Sequence, residues 1–520
     1  MRIYDYIVVG SGSGGAAVAA RLAEDPSVDV LLLEAGGTDA RLEVRAPAAF
    51  ANQFHTKIDW DYYTLPEPGA GGRRIYQPRG KMLGGSSSMN AMLWMRGSAS
   101  DYDGWNLPGW SWADVKPAFL RIEDHFLNDG EHGRGGPMKV RRHEHYDPMS
   151  ELFVTAAAKS AVHQSEDVSG PDMEGVSISP VSVERSRRWS TARGYLDAAR
   201  KRKNFTLQTR SLTRRVLFDG TQAVGVEYER RGRVMSARAR REVILSAGAF
   251  GTPHLLQLSG IGERAHLASI GIECLVDNAH VGAHLAEHPL TLLNFELQPG
   301  YVGMFDAKNP KYLAQWLFGR RGKLSSNLAE AVAHVKTLPD LRDPDFQFLF
   351  GPMFFWENGA EHTAPCAVIG QSYWTPASRG WVRAATSDPR QLPDVQLNMF
   401  VERADVDAMI RAVRLAREIA ATAPLADIIK TEVTPGAAVQ TDAELEDWVR
   451  NHGEHTYHPS CTARMGAEGE GVLDERLRVR GVTGLRVADT SALPQITHAN
   501  TNAPAILVGE RCAEFIRSGE

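Results

Sequence analysis

The feature that most constrains the fold is a glycine-rich turn near the start of the chain. An apolar segment at residues 3–9 runs directly into the pattern Gly10-x-Gly12-x-x-Gly15, and an alanine-rich stretch at 16–22 follows. In such a turn the first glycine permits a tight bend, the second lets the backbone approach a pyrophosphate, and the third allows a helix to pack closely on a strand. The pattern therefore predicts a βαβ unit that binds a dinucleotide.

A second apolar segment, at residues 28–33, ends in Glu34. An acid about 20 residues after the glycines can accept a hydrogen bond from a ribose 2′-hydroxyl, and an acid rather than an arginine favours FAD or NAD over NADP. The free N–H groups at the start of the predicted helix can bind the phosphates. The residues expected around the dinucleotide here are Gly10, Gly12, Ser13, Gly14, Gly15 and Glu34.

Composition narrows the class of protein. A chain of 520 residues can bury a large core, and its net charge of −5 indicates neither nucleic acid nor an anionic membrane as a partner. No apolar run approaches the roughly 20 residues that span a bilayer, and no secretory leader precedes the first strand, so we expect a cytoplasmic protein. The cysteines lie far apart and are expected to be reduced thiols: Cys274, Cys366, Cys461 and Cys512.

Further along the chain, periodicity predicts the main elements. Residues 204–246 contain alternating apolar stretches typical of strands, and Thr441-Asp-Ala-Glu444 is a capping box that opens a helix to about 452. Residues 405–420 have apolar positions at helical spacing, which indicates a helix facing the core. Residues 346–350 alternate as in a half-buried strand, whose open face could form the floor of a substrate cavity.

Three more motifs narrow the chemistry. Residues 80–90 read GKMLGGSSSMN, residues 248–262 read GAFGTPHLLQLSGIG, and the last part of the chain carries Tyr457-His458-Pro459 and Asn500-Thr-Asn-Ala-Pro504. In this order they resemble the two signatures and the active-site tail of the glucose–methanol–choline (GMC) family of FAD-dependent oxidoreductases. The resemblance spans Tyr6 to Glu514 and is greatest to its choline dehydrogenase, choline oxidase and bacterial alcohol dehydrogenase branch.

The resemblance implies a mixed α/β architecture, α+β overall. We expect a discontinuous Rossmann-type FAD-binding domain formed by residues 1–145, 190–285 and 445–520. Residues 146–189 and 286–444 would form a substrate-binding domain with an antiparallel sheet flanked by helices.

The resemblance also assigns residues to the flavin site. Thr213 falls where the family contacts adenine, and Asp489 would face the ribityl or phosphate region. The helix that begins near Asn502-Ala503-Pro504 would direct its positive end at the flavin, which favours the anionic reduced ring. Residues implied to line the isoalloxazine and ribityl portions are Gly84, Gly85, Asn90, Ala91, Met92 and Leu93.

The catalytic pair implied by the resemblance is His458 and Asn500. Oxidation of an alcohol requires removal of its hydroxyl proton, and a neutral imidazole tuned near the working pH can take it. Asn500 can donate a hydrogen bond to the substrate oxygen. His498 is the rival for the catalytic role if the register differs, although alternation directs it to the opposite face. His455-x-x-His458 has a metal-like spacing without a third ligand nearby, so no metal is predicted.

Two departures from the family pattern refine these expectations. Members with covalent flavin carry histidine where this chain has Met89, so non-covalent FAD is expected. Choline oxidases carry glutamate where this chain has Leu290. We assign a structural role to His288 and Pro289, which precede it. A quaternary ammonium needs a carboxylate or an aromatic cage, so an uncharged primary or aryl alcohol is the favoured substrate.

Several alternatives remain open. The chain could be a choline dehydrogenase or oxidase, a flavin-containing hydroxynitrile lyase, or a nucleotide-binding protein without catalytic activity. The electron acceptor could be oxygen or another compound, and the sequence leaves the oligomeric state open. Trp356 and Trp374 could line the pocket, but buried core is the favoured interpretation.

Overall fold

The structure, a computed structural model, describes residues 2–355 and 362–520. Two seven-stranded sheets carry the architecture. Their strands, in chain order, are β1 (Ile3–Val9), β2 (Val30–Leu33), β3 (Gly175–Ile178), β4 (Phe205–Gln208), β5 (Ser211–Asp219), β6 (Gln222–Arg230), β7 (Arg233–Leu245), β8 (Pro289–Leu297), β9 (Ala331–Val335), β10 (Phe346–Gly351), β11 (Cys366–Tyr373), β12 (Ile429–Thr434), β13 (Glu454–His455) and β14 (Leu485–Val487).

Helices pack on both sheets. In chain order they are α1 (Ser13–Leu22), α2 (Leu42–Arg45), α3 (Ala99–Gly104), α4 (Trp112–Ile122), α5 (Met149–Ser160), α6 (Asp197–Ala199), α7 (Gly248–Leu258), α8 (Arg264–Ser269), α9 (Pro310–Gly319), α10 (Arg403–Ala420), α11 (Asp442–His452) and α12 (Asn502–Ser518). Short 3₁₀ segments lie at Pro47–Gln53, Gly85–Ser88, Lys323–Ser325, Ala426–Ile428 and Thr490–Ala492.

Smaller two-stranded sheets and one π-helical turn connect these parts. The π-helical turn is Ala192–Leu196. The paired strands are Tyr62–Tyr63 with Tyr76–Gln77, Glu123–Asp124 with Met138–Lys139, Arg141–Arg142 with Pro180–Val181, Val183–Glu184 with Arg187–Arg188, Ile261–Gly262 with Val276–Asp277, and Trp381–Arg383 with Asp394–Gln396.

The first sheet has a parallel core in the order β4-β2-β1-β7, with β14 added beside β7. Its strand β2 is buried along its whole length, as expected of a parallel strand covered on both faces. Strands β5, β6 and β7 continue the sheet as an antiparallel meander. The carboxyl ends of the parallel strands meet at one edge, where a doubly wound fold binds its ligand.

The second sheet is antiparallel, in the order β12-β8-β11-β10-β9-β3 with β13 paired to β8. The aromatic rings of Phe346, Phe348 and Phe350 alternate on β10 and join the core that covers one face of the sheet. Helices α5 and α10 pack on that face. The predicted apolar positions of α10 are buried there: Val406, Met409, Ile410, Val413 and Ala416.

The predicted fold class is confirmed, since a Rossmann-type sheet and a helix-flanked antiparallel sheet are both present. The predicted capping box at Thr441 is also formed. Strand β13 belongs to the second sheet although the expected boundary at residue 445 assigns it to the FAD-binding part. The division of the chain into two domains therefore stays a prediction.

Several smaller features complete the fold. All four cysteines are free thiols. Trp374 is fully buried in the core, whereas Trp356 lies outside the described residues. Among residues 2–355 and 362–520, no helix combines the length and apolar character that crossing a membrane requires.

Candidate active site

One large cavity runs from the carboxyl edge of the first sheet to the second sheet. Its empty space, including the part that is open to solvent, is about 2340 Å³. The cavity therefore unites segments from both ends of the chain. The predicted site residues that line it are Gly10, Gly12, Ser13, Gly14, Glu34, Gly85, Asn90, Ala91, Met92, Leu93, Thr213, His458, Asp489, Asn500 and Asn502.

Three predicted residues lie behind the cavity wall instead. A Cβ added to Gly15 would overlap the carbonyl oxygen of Gly10, so Gly15 permits the contact between α1 and the turn. Gly84 has a φ of +84°, and a Cβ there would meet the hydroxyl of Ser88. Ala503 is buried in the first turn of α12. These residues shape the cradle without reaching its surface.

The nucleotide end is made largely of backbone. Helix α1 begins without a side-chain cap, so its first N–H groups are available to a phosphate. A Cβ at Gly12 would meet nothing within 4 Å, because this glycine faces the open cavity. Glu34 is buried and accepts hydrogen bonds from the N–H and hydroxyl of Ser11, at 3.0 and 2.6 Å, and from the N–H of Gly36. Burial raises the pKa of its carboxyl.

Other groups along the cavity are suited to a long polar ligand. The hydroxyl of Thr213 is buried, lines the cavity and has no hydrogen-bond partner. Asp489 accepts hydrogen bonds from the Gly248 N–H and the Thr252 and Ser491 hydroxyls, which hold its carboxylate at the wall. Helix α12 also begins without a side-chain cap. Two free helix N-termini, an unpartnered hydroxyl and the glycine cradle fit FAD.

The predicted catalytic residues meet at the other end. The side-chain nitrogen Nδ2 of Asn500 lies 3.4 Å from Nε2 of His458, and both residues are buried at the cavity wall. The backbone N–H groups of His458 and His288 both donate to Oε1 of Glu287, at 2.7 and 2.9 Å. The Nδ1 atoms of His288 and His458 lie 3.0 Å apart. His288, assigned a structural role from the sequence, thus contacts the ring of His458 directly.

These contacts decide where the proton of His458 sits. An amide nitrogen can only donate, so Nε2 of His458 accepts from Asn500 and carries no proton. Its Nδ1 then holds the proton and donates to His288. Burial lowers the pKa of His458 to about 4, against the opposing effect of Glu287. The ring is therefore neutral at neutral pH, and the lone pair of Nε2 faces the cavity. The sequence analysis expected a pKa near the working pH, whereas the pKa in the structure is lower.

The other histidines of this region serve different contacts. Nδ1 of His498 lies 2.6 Å from a carboxylate oxygen of Asp101, and this histidine is absent from the cavity wall. His455 lines the cavity but lies 3.3 Å from Glu287 through Nδ1 and 2.8 Å from Gln77 through Nε2. Both ring nitrogens of His455 are therefore engaged by the protein.

The substrate end also contains residues that sequence reasoning missed. The guanidinium of Arg79 reaches the wall and donates to the carbonyl of Tyr457 at 2.6 Å. Gln347 holds Asn500, and Glu287 holds the backbone of His458. Aromatic and aliphatic residues line much of the remaining wall: Phe50, Phe54, Trp60, Tyr62, Leu290, Leu292, Leu328, Leu349, Phe355, Val368 and Tyr457.

The chain belongs to the GMC oxidoreductase family, because family models described as GMC oxidoreductase match residues 4–290 and 376–509. The resemblance predicted from the sequence is thereby confirmed. Membership makes the protein an oxidoreductase of an FAD-dependent family, as the cradle for a dinucleotide also indicates.

Individual relatives are similar over nearly their whole length. An uncharacterized GMC-type oxidoreductase of Mycobacterium bovis is 41% identical, with 99% of both chains covered. An oxygen-dependent choline dehydrogenase of Sinorhizobium fredii is 39% identical, with 98% of this chain and 95% of the relative covered. The crystal structure of pyridoxine 4-oxidase from Mesorbium loti superimposes with a TM-score of 0.90 at 29% identity, covering 99% of both chains.

Proposed function

We propose that the protein oxidises an uncharged primary or aryl alcohol to the aldehyde. The observation that carries the proposal is the position of Nε2 of His458, 3.4 Å from the amide nitrogen of Asn500 at the wall of a mostly apolar cavity. FAD, when bound, supplies the acceptor for the hydride. Oxygen or another compound would serve as the final electron acceptor, and peroxide measured during turnover in air would identify oxygen.

The protein's own residues perform the proton chemistry. Nε2 of His458 takes the hydroxyl proton of the alcohol, and the resulting imidazolium keeps its Nδ1–H directed at His288. Glu287, which accepts the backbone N–H of His458, places negative charge near that imidazolium. One N–H of Asn500 bonds to Gln347, and the other is directed at Nε2 of His458 in the free protein. When the alcohol is bound, this second N–H donates to the substrate oxygen instead, which stabilises the charge that develops there and leaves Nε2 free to take the proton. Together these groups orient the carbinol carbon.

The wall favours an uncharged substrate. Leu290, Leu292 and Val368 line the substrate end, where burial of an alkyl or aryl group contributes about 25 cal/mol per Å². The described carboxylates at the cavity surface are Glu34 and Asp489, and both accept hydrogen bonds at the nucleotide end. A quaternary ammonium would therefore be desolvated without an anionic partner.

Choline is the second candidate substrate. Relatives at about 40% identity are named oxygen-dependent choline dehydrogenases, and the aromatic rings of Phe50, Phe54 and Trp60 could face a cation. Choline and a neutral alcohol of similar size are thus the two compounds to compare.

The test is an anaerobic titration of the purified, FAD-loaded protein. Benzyl alcohol, 1-hexanol, choline and mandelonitrile are added separately while the flavin absorption band is followed. Bleaching by the neutral alcohols supports the proposal. Bleaching by choline alone would identify choline, and not a neutral alcohol, as the substrate. Release of benzaldehyde from mandelonitrile without bleaching identifies a lyase, and no reaction with any compound contradicts an enzymatic role in this class of chemistry.

We also propose that FAD is held without a covalent bond. Met89 lines the cavity where covalent relatives of the family have histidine, and its thioether offers no imidazole nitrogen for a bond to the flavin. Acid precipitation should leave all yellow colour in the supernatant. Colour retained in the protein pellet would contradict this assignment.

A further inference from the structure

The amide of Asn500 is paired face to face with the amide of Gln347. Nε2 of Gln347 donates to Oδ1 of Asn500 at 3.0 Å, and Nδ2 of Asn500 donates to Oε1 of Gln347 at 3.1 Å. Such a cyclic pair keeps both hydrogen bonds if both amides rotate by about 180°. The pair alone therefore does not decide whether the nitrogen or the oxygen of Asn500 faces His458.

His334, on the neighbouring strand β9, removes that ambiguity. Its Nδ1 lies 2.9 Å from the carbonyl oxygen of Met173, and because a carbonyl only accepts, Nδ1 carries the proton. Burial lowers the pKa of His334 to about 4, so the ring is neutral and its Nε2 holds a lone pair. Nε2 of His334 lies 3.1 Å from Nε2 of Gln347. Gln347 must therefore direct its NH₂ group at His334.

We propose that His334 and Gln347 are positioning residues that orient the amide of Asn500 with its NH₂ group toward His458 and the substrate oxygen. His334 donates to the carbonyl of Met173, and Gln347 donates to both His334 and Asn500. Asn500 in turn directs its NH₂ group at Nε2 of His458. The inference deepens the proposed alcohol oxidation and rests on it for its kinetic consequence, but the orientation itself can be measured without turnover.

The reversed orientation would disable the base. With Oδ1 of Asn500 facing His458, Nε2 of the imidazole would have to donate a proton and Nδ1 would have to accept one from His288. The lone pair would then point away from the substrate. Gln347 and His334 are both fully buried, where an unpaired polar group is costly, so a complete set of partners selects one orientation.

The kinetic test compares substitutions of two buried glutamines on adjacent strands. Gln347→Leu removes the pairing, and Gln347→Glu keeps the shape but loses the NH₂ donor. Gln371→Leu is the matched control, since Gln371 is equally buried on β11 and bonds to Thr291 and Ile369 rather than to the site. Stopped-flow reduction of FAD-loaded protein should slow at least about tenfold in both Gln347 variants, with the alcohol Kd changed less than about threefold.

The structural test uses protein labelled with ¹⁵N-histidine. His458 should show a single neutral tautomer protonated at Nδ1 in the parent protein, and a mixture that includes the Nε2–H form in both Gln347 variants. Its signal is assigned by its loss in His458→Ala. The inference is overturned if the parent already has the Nε2–H tautomer, or if both Gln347 variants keep the parent tautomer and reduction rate. Failure of every alcohol to reduce the parent flavin contradicts the proposed function instead, and leaves the tautomer measurement as the test of orientation.

Discussion

The two ends of the cavity are built by different means. The nucleotide end is lined by backbone from a compact turn at residues 10–15 and by the first turns of α1 and α12. The catalytic end is made of side chains that arrive from strands β8 and β10 and from loops near residues 458 and 500. Backbone binds what all dinucleotides share, whereas side chains from separate elements distinguish one substrate from another.

The difference predicts how each end responds to substitution. At Gly10, Gly14 and Gly15 of the nucleotide end, an added Cβ would collide with main chain, which cannot move without disturbing the sheet. At Gly12 it would enter the open cavity. At the catalytic end, a side chain can be exchanged while the backbone stays in place. Substitutions there are therefore expected to lower the reaction rate with little loss of stability. The experiments below test that contrast at individual positions.

The largest effect is expected at two glycines of the same turn. Gly15→Ala should prevent formation of a stable fold, because its Cβ would overlap the carbonyl oxygen of Gly10. Gly12→Ala should leave an apoprotein that unfolds at the parent temperature, since Gly12 has a φ of −66° and its Cβ would enter open space. That space is where the pyrophosphate is expected, so this variant should not retain FAD. Thermal unfolding and flavin content of both purified variants provide the check.

Two results would contradict the expectations for these glycines. A Gly12→Ala protein that keeps its full FAD content would mean that the ligand does not approach this turn. A Gly15→Ala protein of normal stability would mean that the helix and turn can separate without cost.

The next largest effect is expected at the proposed catalytic base, His458. His458→Ala should slow flavin reduction by an alcohol at least 100-fold, given the roughly 10²–10⁴-fold contribution of a general base. His266→Ala is the control, since His266 lies on helix α8 away from the cavity, and flavin in this variant should be reduced by the alcohol at the parent rate. Rapid-mixing absorbance measurements under anaerobic conditions compare the three proteins. A near-parent rate in His458→Ala would remove His458 from this role.

The difference between the two ends of the cavity also explains which of their residues could be predicted from the sequence. The turn at Gly10, the strand ending in Glu34 and the helix between them are contiguous, so local pattern and known geometry identified them together. His458 and Asn500 were predicted as the catalytic pair from motifs that resemble a family, and the structure brings their side chains together. Gln347 and Glu287 carry no motif, and their partners are 153 and 171 residues away along the chain. Only the tertiary fold brings such residues together, and single-sequence periodicity cannot specify it.

A smaller effect is expected from changing the charge of the substrate wall. Leu290→Glu should bind choline about tenfold more tightly than Leu290→Gln does, a difference of about 1.4 kcal/mol, because a carboxylate would then face the ammonium group. Affinity for an uncharged alcohol should not improve in the glutamate variant. Kd values from anaerobic flavin reduction give the comparison. Equal choline affinity in the two variants would show that position 290 does not contact the cation.

The smallest expected effect is the pH dependence of the parent enzyme. Burial lowers the pKa of His458 to about 4, so the imidazole is unprotonated throughout the range from about pH 6 to 8 and the rate of flavin reduction should be constant there. As the pH falls through about 4, protonation occupies the lone pair of Nε2, and the rate should drop to about half its plateau at that pH. Circular dichroism at each pH verifies that the protein remains folded. A decline centred instead near pH 6.5, the ordinary histidine value, would contradict the lowered pKa. It would mean that the His458 ring is more hydrated, or closer to negative charge, in the loaded enzyme than in this structure.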